Sequence, residues 1–205
     1  MKDFQTIDGF SEANFEIKRS KFISHAEHVE SEDQAREILQ SIKKKFFDAR
    51  HNCSAWILDD QRQKFNDDGE PGGTAGKPIL ESIKEKKLIQ VIVVVTRYFG
   101  GIKLGAGGLV RAYHHAATLA LDSAKLLTVK SMLKLRVEID YPMFNSVERF
   151  IRQQNFPIES VKYEANVSIE VLIPPNEKDR FIENLTEITS AKFKLEILDE
   201  VFHSE

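Results

Sequence analysis

The hydrophobic pattern is strongest in one short segment near the middle of the chain. Residues 89–96 form an almost unbroken aliphatic run, and β-branched residues in a run of this length predict a strand that is buried on both faces. Nine of the ten glycines fall between Gly69 and Gly108, on the two sides of this run. The pattern therefore predicts a central strand, with one glycine-rich loop ahead of the preceding helix and another directly after the strand.

Residues ahead of the first loop combine helical and extended patterns. Ser31 and Gln34 stand at the N-cap and N3 positions of a capping box. Apolar residues at helical spacing follow, so a helix is predicted over about 32–47. The other predicted elements of this part are an extended segment over 13–30, a strand over 53–58 and a polar, turn-like segment over 59–68.

A helix is predicted after each glycine-rich loop. Thr74 is suited to cap the first helix, which runs to about residue 87 and carries Pro78 in its first turn, where no intrahelical donor is lost. The second helix is predicted over about 107–124. Leu109 belongs to its apolar face, whereas Arg111 lies on another face, close to the second loop.

The pattern changes after residue 125, where glycine is absent and charged residues are frequent. Residues 133–139 alternate strictly between apolar and polar, as half-buried strands do. The following segments read as helix, strand, strand, helix and strand, which is the ferredoxin-like βαββαβ order. We therefore predict an α+β protein of two domains, over residues 1–130 and 131–205.

Composition excludes several classes of protein. The 205 residues are 41% hydrophobic and 30% charged, which is typical of a soluble globular protein. The longest apolar run is far shorter than the roughly 20 residues that cross a bilayer, and no signal peptide opens the chain. We therefore expect a cytoplasmic protein without membrane contact. A single cysteine, Cys53, excludes an intrachain disulfide framework and a cysteine-rich zinc site.

Charge is distributed unevenly along the chain. The formal net charge is only −3, but residues 71–115 carry seven basic and two acidic residues, and residues 131–205 carry nine basic and fourteen acidic residues. The glycine-rich region is therefore basic, and a local basic patch matters more than net charge for binding phosphates.

The second loop is the better candidate for a binding site. It leads from a strand to the start of a helix, where backbone N–H groups carry partial positive charge and suit an anion. The pattern is neither a Walker A loop nor a dinucleotide-binding fingerprint, so neither ATP nor NAD is inferred and no cofactor is expected. The alternative is that the glycines only allow close helix–strand packing. The candidate phosphate- or nucleic-acid-binding residues are Lys77, Arg97, Tyr98, Gly100, Gly101, Lys103, Gly105, Gly107, Gly108 and Arg111.

The first loop contains a candidate acidic cluster, Asp67, Asp68 and Glu70. Three acids in four residues offer the oxygen ligands that Mg²⁺ or Ca²⁺ prefer, but their spacing is not that of an EF-hand. Such acids more often cap turns or pair with nearby cations, for which Lys77 and Lys103 are candidates together with Arg97. We therefore expect no metal.

Cysteine and histidine offer weaker alternatives. Cys53 lies two residues from His51 on one face of a predicted strand and could act as a nucleophile, although a lone cysteine in an apolar strand is typical of a core. The other candidate side chains are the pairs His25 and His28, which lack a third zinc ligand, and His114 and His115, for which no acid–base partner is apparent.

These segments resemble the YigZ/Impact family. The matching residues of the two loops are Asp67-Asp68-Gly69-Glu70-Pro71, Thr74-Ala75-Gly76-Lys77-Pro78, Val94-Val95-Thr96-Arg97-Tyr98-Phe99-Gly100-Gly101, and Lys103-Leu104-Gly105 with Gly107-Gly108-Leu109 and Arg111-Ala112-Tyr113. Earlier matches are Lys18-Arg19-Ser20-Lys21-Phe22-Ile23 and Ala49-Arg50-His51-Asn52-Cys53. The likeness covers residues 14–125, and the C-terminal domain matches by pattern only.

The resemblance implies an N-terminal α+β domain like the second domain of a small-subunit ribosomal protein. It also implies a C-terminal ferredoxin-like domain similar to one in translation elongation factor G. Eukaryotic relatives that share the first domain act in translational control. We therefore expect a protein that binds RNA or a ribosome-associated factor and regulates translation.

Two other functions stay open. An enzyme acting on a small phosphorylated or anionic substrate would use the second loop together with the acids of the first loop and His114 or His115. A protein-interaction module would dock a partner on the same loops. Tyr98 and Phe99 either stack on a base or belong to the core.

Overall fold

A computed structural model describes residues 3–204 of the chain. The chain folds into two compact units, Phe4–Thr128 and a unit that starts at Val129 and includes Asp3. The predicted domains begin at residue 1 and end at residue 205, and residues 1, 2 and 205 lie outside the described residues. The α+β class with two domains is confirmed. Among the described residues, no helix is both long and apolar enough to span a membrane.

The N-terminal unit consists of a mixed set of strands and helices around one antiparallel sheet. Its strands pair in the order β2-β3-β6-β4-β5. The elements are β1 (Phe4–Ile7), β2 (Phe10–Ile17), β3 (Ser20–His28), α1 (Glu32–Lys45), β4 (His51–Ile57), β5 (Gln63–Asn66), α2 (Gly76–Glu85), β6 (Val91–Tyr98) and α3 (Ala106–Ser123).

Strand β6 is central and buried on both faces, as the hydrophobic run predicts. Its residues alternate between two cores, because successive side chains of a strand point in opposite directions. Val93 and Val95 belong to the core that contains the buried faces of α2 and α3. Ile92 and Val94 belong to a second core with α1. The sheet is thus covered by helices on both sides of its middle strand.

Helix α1 begins as the capping box predicts. The Ser31 hydroxyl accepts a hydrogen bond from the Gln34 N–H at 3.2 Å, and the Gln34 side chain accepts one from the Glu30 N–H at 2.7 Å. Three basic residues stand in the last turn of the helix, where the helix dipole favours positive charge.

Two local predictions are wrong. The segment predicted as turn-like over 59–68 contains strand β5, whose four residues are all exposed and therefore show no apolar alternation. Thr74 does not cap α2, because its hydroxyl donates to the Pro71 carbonyl at 2.7 Å and Ala75 occupies the N-cap position.

The C-terminal unit has the predicted βαββαβ order. Its strands pair antiparallel in the order β10-β7-β9-β8, the arrangement expected of a ferredoxin-like fold. Strand β7 starts earlier than predicted, at Leu126 rather than residue 133. The elements are β7 (Leu126–Ile139), α4 (Phe144–Gln153), β8 (Ile158–Tyr163), β9 (Val167–Ile173), α5 (Lys178–Thr189) and β10 (Lys194–Ser204).

Candidate functional site

The acids of the first loop hold the fold together locally. Asp67 accepts hydrogen bonds from the N–H groups of Gly73, Ala75 and Gly76 at 2.8–3.0 Å. Its carboxylate therefore satisfies the donors at the start of α2, where a negative charge is also favoured by the helix dipole.

Asp68 is engaged on another side of the same loop. One carboxylate oxygen lies 2.6 Å from Lys43 Nζ, and the other accepts the Asn52 N–H at 2.7 Å. Within residues 3–204, no group of three or more His, Cys, Asp or Glu side chains is placed to hold a metal ion.

Glu70 forms the centre of a buried polar cluster. Its Oε1 atom accepts hydrogen bonds from Arg97 Nη1 at 2.6 Å and from the Tyr113 hydroxyl at 2.7 Å. The side chains of Glu70 and Arg97 are only 4% and 7% exposed. Removing one partner of such a pair strongly destabilises the folded protein, because the other charge is left buried without compensation. Arg97 is therefore held in the ion pair rather than free on the surface.

The second loop leads into a cleft of about 460 Å³, which we call the α3 cleft. It combines exposed cations, the buried ion pair and the start of α3. The lining residues are Arg50, His51, Gly69, Glu70, Pro71, Arg97, Phe99, Lys103, Leu104, Gly105, Ala106 and Leu109.

The start of α3 offers hydrogen-bond donors to this cleft. Gly105 is its N-cap residue, with φ of 72°, and a glycine there can provide no side-chain oxygen. Within the described chain, no side chain accepts a hydrogen bond from the N–H groups of Ala106, Gly107 or Gly108. The first N–H groups of an α-helix have no partner inside the helix, so these donors suit an anion.

Arg97 gives a second indication of a ligand. Its guanidinium carbon lies 5.6 Å from the ring centroid of Phe99, which is 43% exposed. Its Nη1 is bound to Glu70, but its buried Nε atom has no hydrogen-bond partner among the described residues. A buried N–H without a partner carries a free-energy cost, and this one belongs to a residue that lines the α3 cleft.

The glycines of the second loop serve different purposes. A Cβ atom at Gly100 would lie 2.0 Å from the backbone of Arg19, so packing requires glycine there. A Cβ at Gly108 would lie 3.1 Å from Leu104 Cβ, which is a tight contact. A Cβ at Gly107 would meet only Arg111 Nη1, at an ordinary 3.6 Å. Packing therefore explains Gly100 but not Gly107, which leaves the helix backbone accessible beside the cleft.

The remaining predicted cations lie elsewhere. Lys77 and Arg111 do not line the α3 cleft but a separate hollow between α2 and α3, together with His114 and Glu81. Gly101 adopts φ of 84° in the second loop and does not line the cleft. Tyr98 also lies outside it, with its hydroxyl donating to Asp48 at 2.8 Å.

Cys53 and the predicted histidines have structural partners. Burial raises the pKa of the Cys53 thiol to about 12, so it stays protonated at neutral pH and belongs to the core. His114 Nε2 lies 2.9 Å from Glu85 Oε2, and the His115 ring contacts Phe15 edge-on. On β3, His28 is hydrogen-bonded to Thr6 at 3.0 Å. His25 Nε2 lies 2.8 Å from Glu12 Oε2, and burial lowers the pKa of His25.

Two basic or titratable side chains of the cleft, Arg50 and His51, are not among the predicted binding residues. In the sequence, both residues belong to one matching segment, and His51 is otherwise considered only as a neighbour of Cys53. Strands β4 and β6 pair so that His51 lies opposite Arg97. A signal is present in the order Arg50-His51 just ahead of the strand predicted over 53–58, but only the register of β4 and β6 brings these residues to the second loop.

Family comparisons agree with this architecture. Residues 18–121 match the Impact N-terminal domain, and residues 137–192 match a domain of unknown function, DUF1949. The IMPACT family member YvyE of Bacillus subtilis (strain 168) is 40% identical over 194 residues, which cover 94% of this chain and 89% of that protein. The IMPACT family member YigZ of Escherichia coli (strain K12) is 32% identical over 189 residues, covering 90% of this chain and 93% of its own.

More distant comparisons extend over different parts of the chain. Protein IMPACT of Rattus norvegicus is 36% identical over 93 residues, which are 43% of this chain and 29% of that protein. A crystal structure described as that of a hypothetical protein aligns with 98% of this chain and 100% of its own, with 30% identity and a TM-score of 0.65. On the strength of the matched domain and of bacterial relatives that are similar over nearly the whole chain, this protein belongs to the IMPACT family.

Proposed function

We propose that the protein binds RNA through the α3 cleft and acts on translation in the cytosol. One observation carries the proposal. The start of α3 opens on a cleft lined by Arg50, Arg97 and Lys103, and no described side chain accepts a hydrogen bond from the first N–H groups of this helix. A phosphate group at the helix start would receive backbone hydrogen bonds and lie in a positive field.

The charges of the cleft support a phosphate ligand. Arg50 and Lys103 are exposed, and neither forms an ion pair with another described residue. An arginine can bind phosphate with two parallel hydrogen bonds, whereas a lysine acts as a point charge. Because the charge of Arg97 is already compensated by Glu70, the net positive charge comes from Arg50 and Lys103.

Phe99 supports a nucleic acid rather than a simple anion. Its ring lines the cleft and is 43% exposed. Exposed aromatic rings beside a basic groove stack on the bases of single strands and contribute about 1–3 kcal/mol per base. The start of α3 would bind the phosphate of a nucleotide, and the Phe99 ring would stack on a base, so the cleft fits one or two nucleotides of RNA.

The C-terminal unit is less suited to phosphate. On its sheet, Lys134 pairs with Glu159 and Glu170 at 2.6 and 3.0 Å. Arg136 pairs with Glu170 and Glu196 at 2.9 and 3.0 Å. These cations are compensated, and the acidic balance of residues 131–205 fits a contact with protein better than one with RNA.

The contacts of the acids favour binding over acid–base catalysis. Asp67 caps α2, and Asp68 is paired with Lys43. His114 lies in the α2–α3 hollow and pairs with Glu85. Of the acids that an enzyme was expected to use, Glu70 lines the α3 cleft but is bound to Arg97 and Tyr113. Asp67, Asp68 and His114 do not line this cleft, and each has a partner of its own.

The test is fluorescence anisotropy of a labelled oligouridylate between 50 and 200 mM salt. Three proteins are compared: the parent, Arg50→Ala/Lys103→Ala, and the control Arg149→Ala/Lys162→Ala, which removes the same residue types from the exposed surface of the C-terminal unit. The slope of log affinity against log salt should fall by about 1.4 in the cleft variant, at about 0.7 per phosphate contact in single strands. The control should match the parent. Absence of binding by the parent, or an equal loss in both variants, would contradict the proposal.

A further inference from the structure

His51 is held in one tautomer at the edge of the α3 cleft. Its Nδ1 atom lies 2.8 Å from the backbone carbonyl oxygen of Asp68. A carbonyl oxygen only accepts hydrogen bonds, so Nδ1 carries the ring proton. In the neutral ring, Nε2 is therefore the acceptor.

This acceptor faces a second one. His51 Nε2 lies 4.0 Å from Glu70 Oε1, which is too far for a direct hydrogen bond. The Glu70 carboxylate is itself fixed by Arg97 and Tyr113, and its oxygens only accept hydrogen bonds. A hydroxyl has a single hydrogen to donate, and Glu70 Oε1 already accepts two hydrogen bonds. His51 Nε2 is therefore the acceptor that remains open to a ligand.

The surroundings restrict which donor belongs there. Both acceptors line the same cleft as Lys103, Arg50 and the start of α3, which together suit a phosphate. A ligand with a hydroxyl group close to a phosphate satisfies both parts of the cleft. RNA has this arrangement at every nucleotide, because the ribose 2′-hydroxyl is a donor that DNA lacks.

We infer that His51 Nε2 accepts a hydrogen bond from a ribose 2′-hydroxyl and makes the α3 cleft select RNA over DNA. The inference rests on the proposed RNA binding and adds the feature of the nucleic acid that is recognised. Lys103, Arg50 and the α3 N–H groups contact phosphate and do not distinguish the two nucleic acids, whereas His51 Nε2 does.

The experiment uses hexauridylate and hexadeoxyuridylate, which have the same base and phosphates and differ only in the 2′-hydroxyl. Affinities are measured by competition against a labelled oligouridylate for the full-length parent and for two variants. His51→Asn keeps an N–H group near the Nδ1 position for the Asp68 carbonyl but has no atom at the Nε2 position. His51→Gln places its amide group near the Nε2 position.

The parent should bind the ribose oligonucleotide about five- to tenfold more tightly, the size expected for one well-placed hydrogen bond. His51→Asn should lower the RNA affinity to that of DNA and leave the DNA affinity unchanged. His51→Gln should retain part of the preference. Thermal unfolding of the three proteins shows whether a variant has lost its fold, in which case DNA affinity would fall as well.

Other outcomes separate this inference from the function on which it rests. If the parent binds both oligonucleotides equally, or if His51→Asn weakens both by the same factor, hydroxyl recognition is wrong and phosphate binding stands. If the parent binds neither oligonucleotide, the RNA-binding proposal fails and this inference fails with it.

Discussion

The two glycine-rich loops both lead into a helix, but they treat the N–H groups of that helix in opposite ways. The first loop provides Asp67, whose carboxylate accepts three N–H groups at the start of α2. The second loop provides Gly105, and no described side chain accepts the first N–H groups of α3. Helix α2 thus begins at the carboxylate of Asp67, whereas helix α3 begins at an open cleft.

This difference explains why similar glycine content does not mean similar function. Each acid of the first loop has a partner within the fold: Asp67 accepts hydrogen bonds at the start of α2, Asp68 pairs with Lys43, and Glu70 pairs with Arg97. The cations Lys103 and Arg50 beside the second loop have no such partners among the described residues. Substitutions in the first loop should therefore mainly change stability, and those in the second mainly binding.

The largest loss of stability is expected from Glu70→Ala. It leaves the Arg97 guanidinium buried without its carboxylate, which typically costs about 3–5 kcal/mol. Trp56, the single tryptophan, lies on β4 of the N-terminal unit, so its fluorescence in a urea titration reports the unfolding of this unit. The matched control Glu81→Ala removes a half-exposed acid of α2 and should change the free energy of unfolding by less than about 0.5 kcal/mol. A loss below about 1 kcal/mol for Glu70→Ala would contradict a buried ion pair.

Asp67→Ala should have the next largest effect. The variant leaves three N–H groups without an acceptor, and loss of a helix cap with charge-assisted hydrogen bonds is expected to cost about 2–3 kcal/mol. The same fluorescence titration measures it. Asp60→Ala, at an exposed position of the preceding turn, is the control. If both substitutions changed the free energy of unfolding equally, α2 would not depend on the Asp67 carboxylate.

Gly107→Ala should raise stability and lower binding at once. Alanine is favoured over glycine in a helix by up to about 1 kcal/mol, and the added Cβ meets no close neighbour. The methyl group would nevertheless obstruct a ligand at the start of α3, so RNA affinity should fall. Gly72→Ala is the matched control, because a Cβ there meets nothing within 4 Å and lies in the first loop, away from the start of α3. A Gly107→Ala protein with unchanged RNA affinity would show that ligands do not approach this turn.

Lys103→Ala should have the smallest effect on stability, within about 0.5 kcal/mol, because the side chain is exposed and forms no ion pair within residues 3–204. RNA binding should still weaken, with a salt slope lower by about 0.7. Urea titration and anisotropy on the same protein give both values. If Lys103→Ala were markedly less stable but bound RNA normally, the second loop would serve stability and not binding, contrary to the difference described between the two loops.

The sequence predicts elements better than contacts between them. The run over 89–96 identifies β6, because a strand buried on both faces leaves a continuous apolar pattern. Strand β5 escapes detection, since all four of its residues are exposed. Spacing alone assigns the cap of α2 to Thr74, although Asp67 provides it from nine residues before Gly76.

The composition of the site depends on long-range pairing. Glu70 and Arg97 are 27 residues apart, and His51 reaches the cleft only because β4 lies beside β6 in a particular register. A pattern along the chain does not specify which strands are neighbours or how they are aligned. The glycines and Lys103 can therefore be identified as candidates from the sequence, whereas the roles of Arg50 and His51 require the structure.

The close contact between Gly100 and Arg19 has a further consequence for ligand capture. The Gly100 N–H also donates to Ser20 Oγ at 3.2 Å, so the second loop is anchored to the turn between β2 and β3 at one end and to α3 at the other. Only residues 101–105 lie between these anchors, and fixing the backbone costs about 1–2 kcal/mol for each residue that was free before. A short bridge held at both ends has little conformational freedom to lose, so more of the interaction energy with a ligand remains available as affinity.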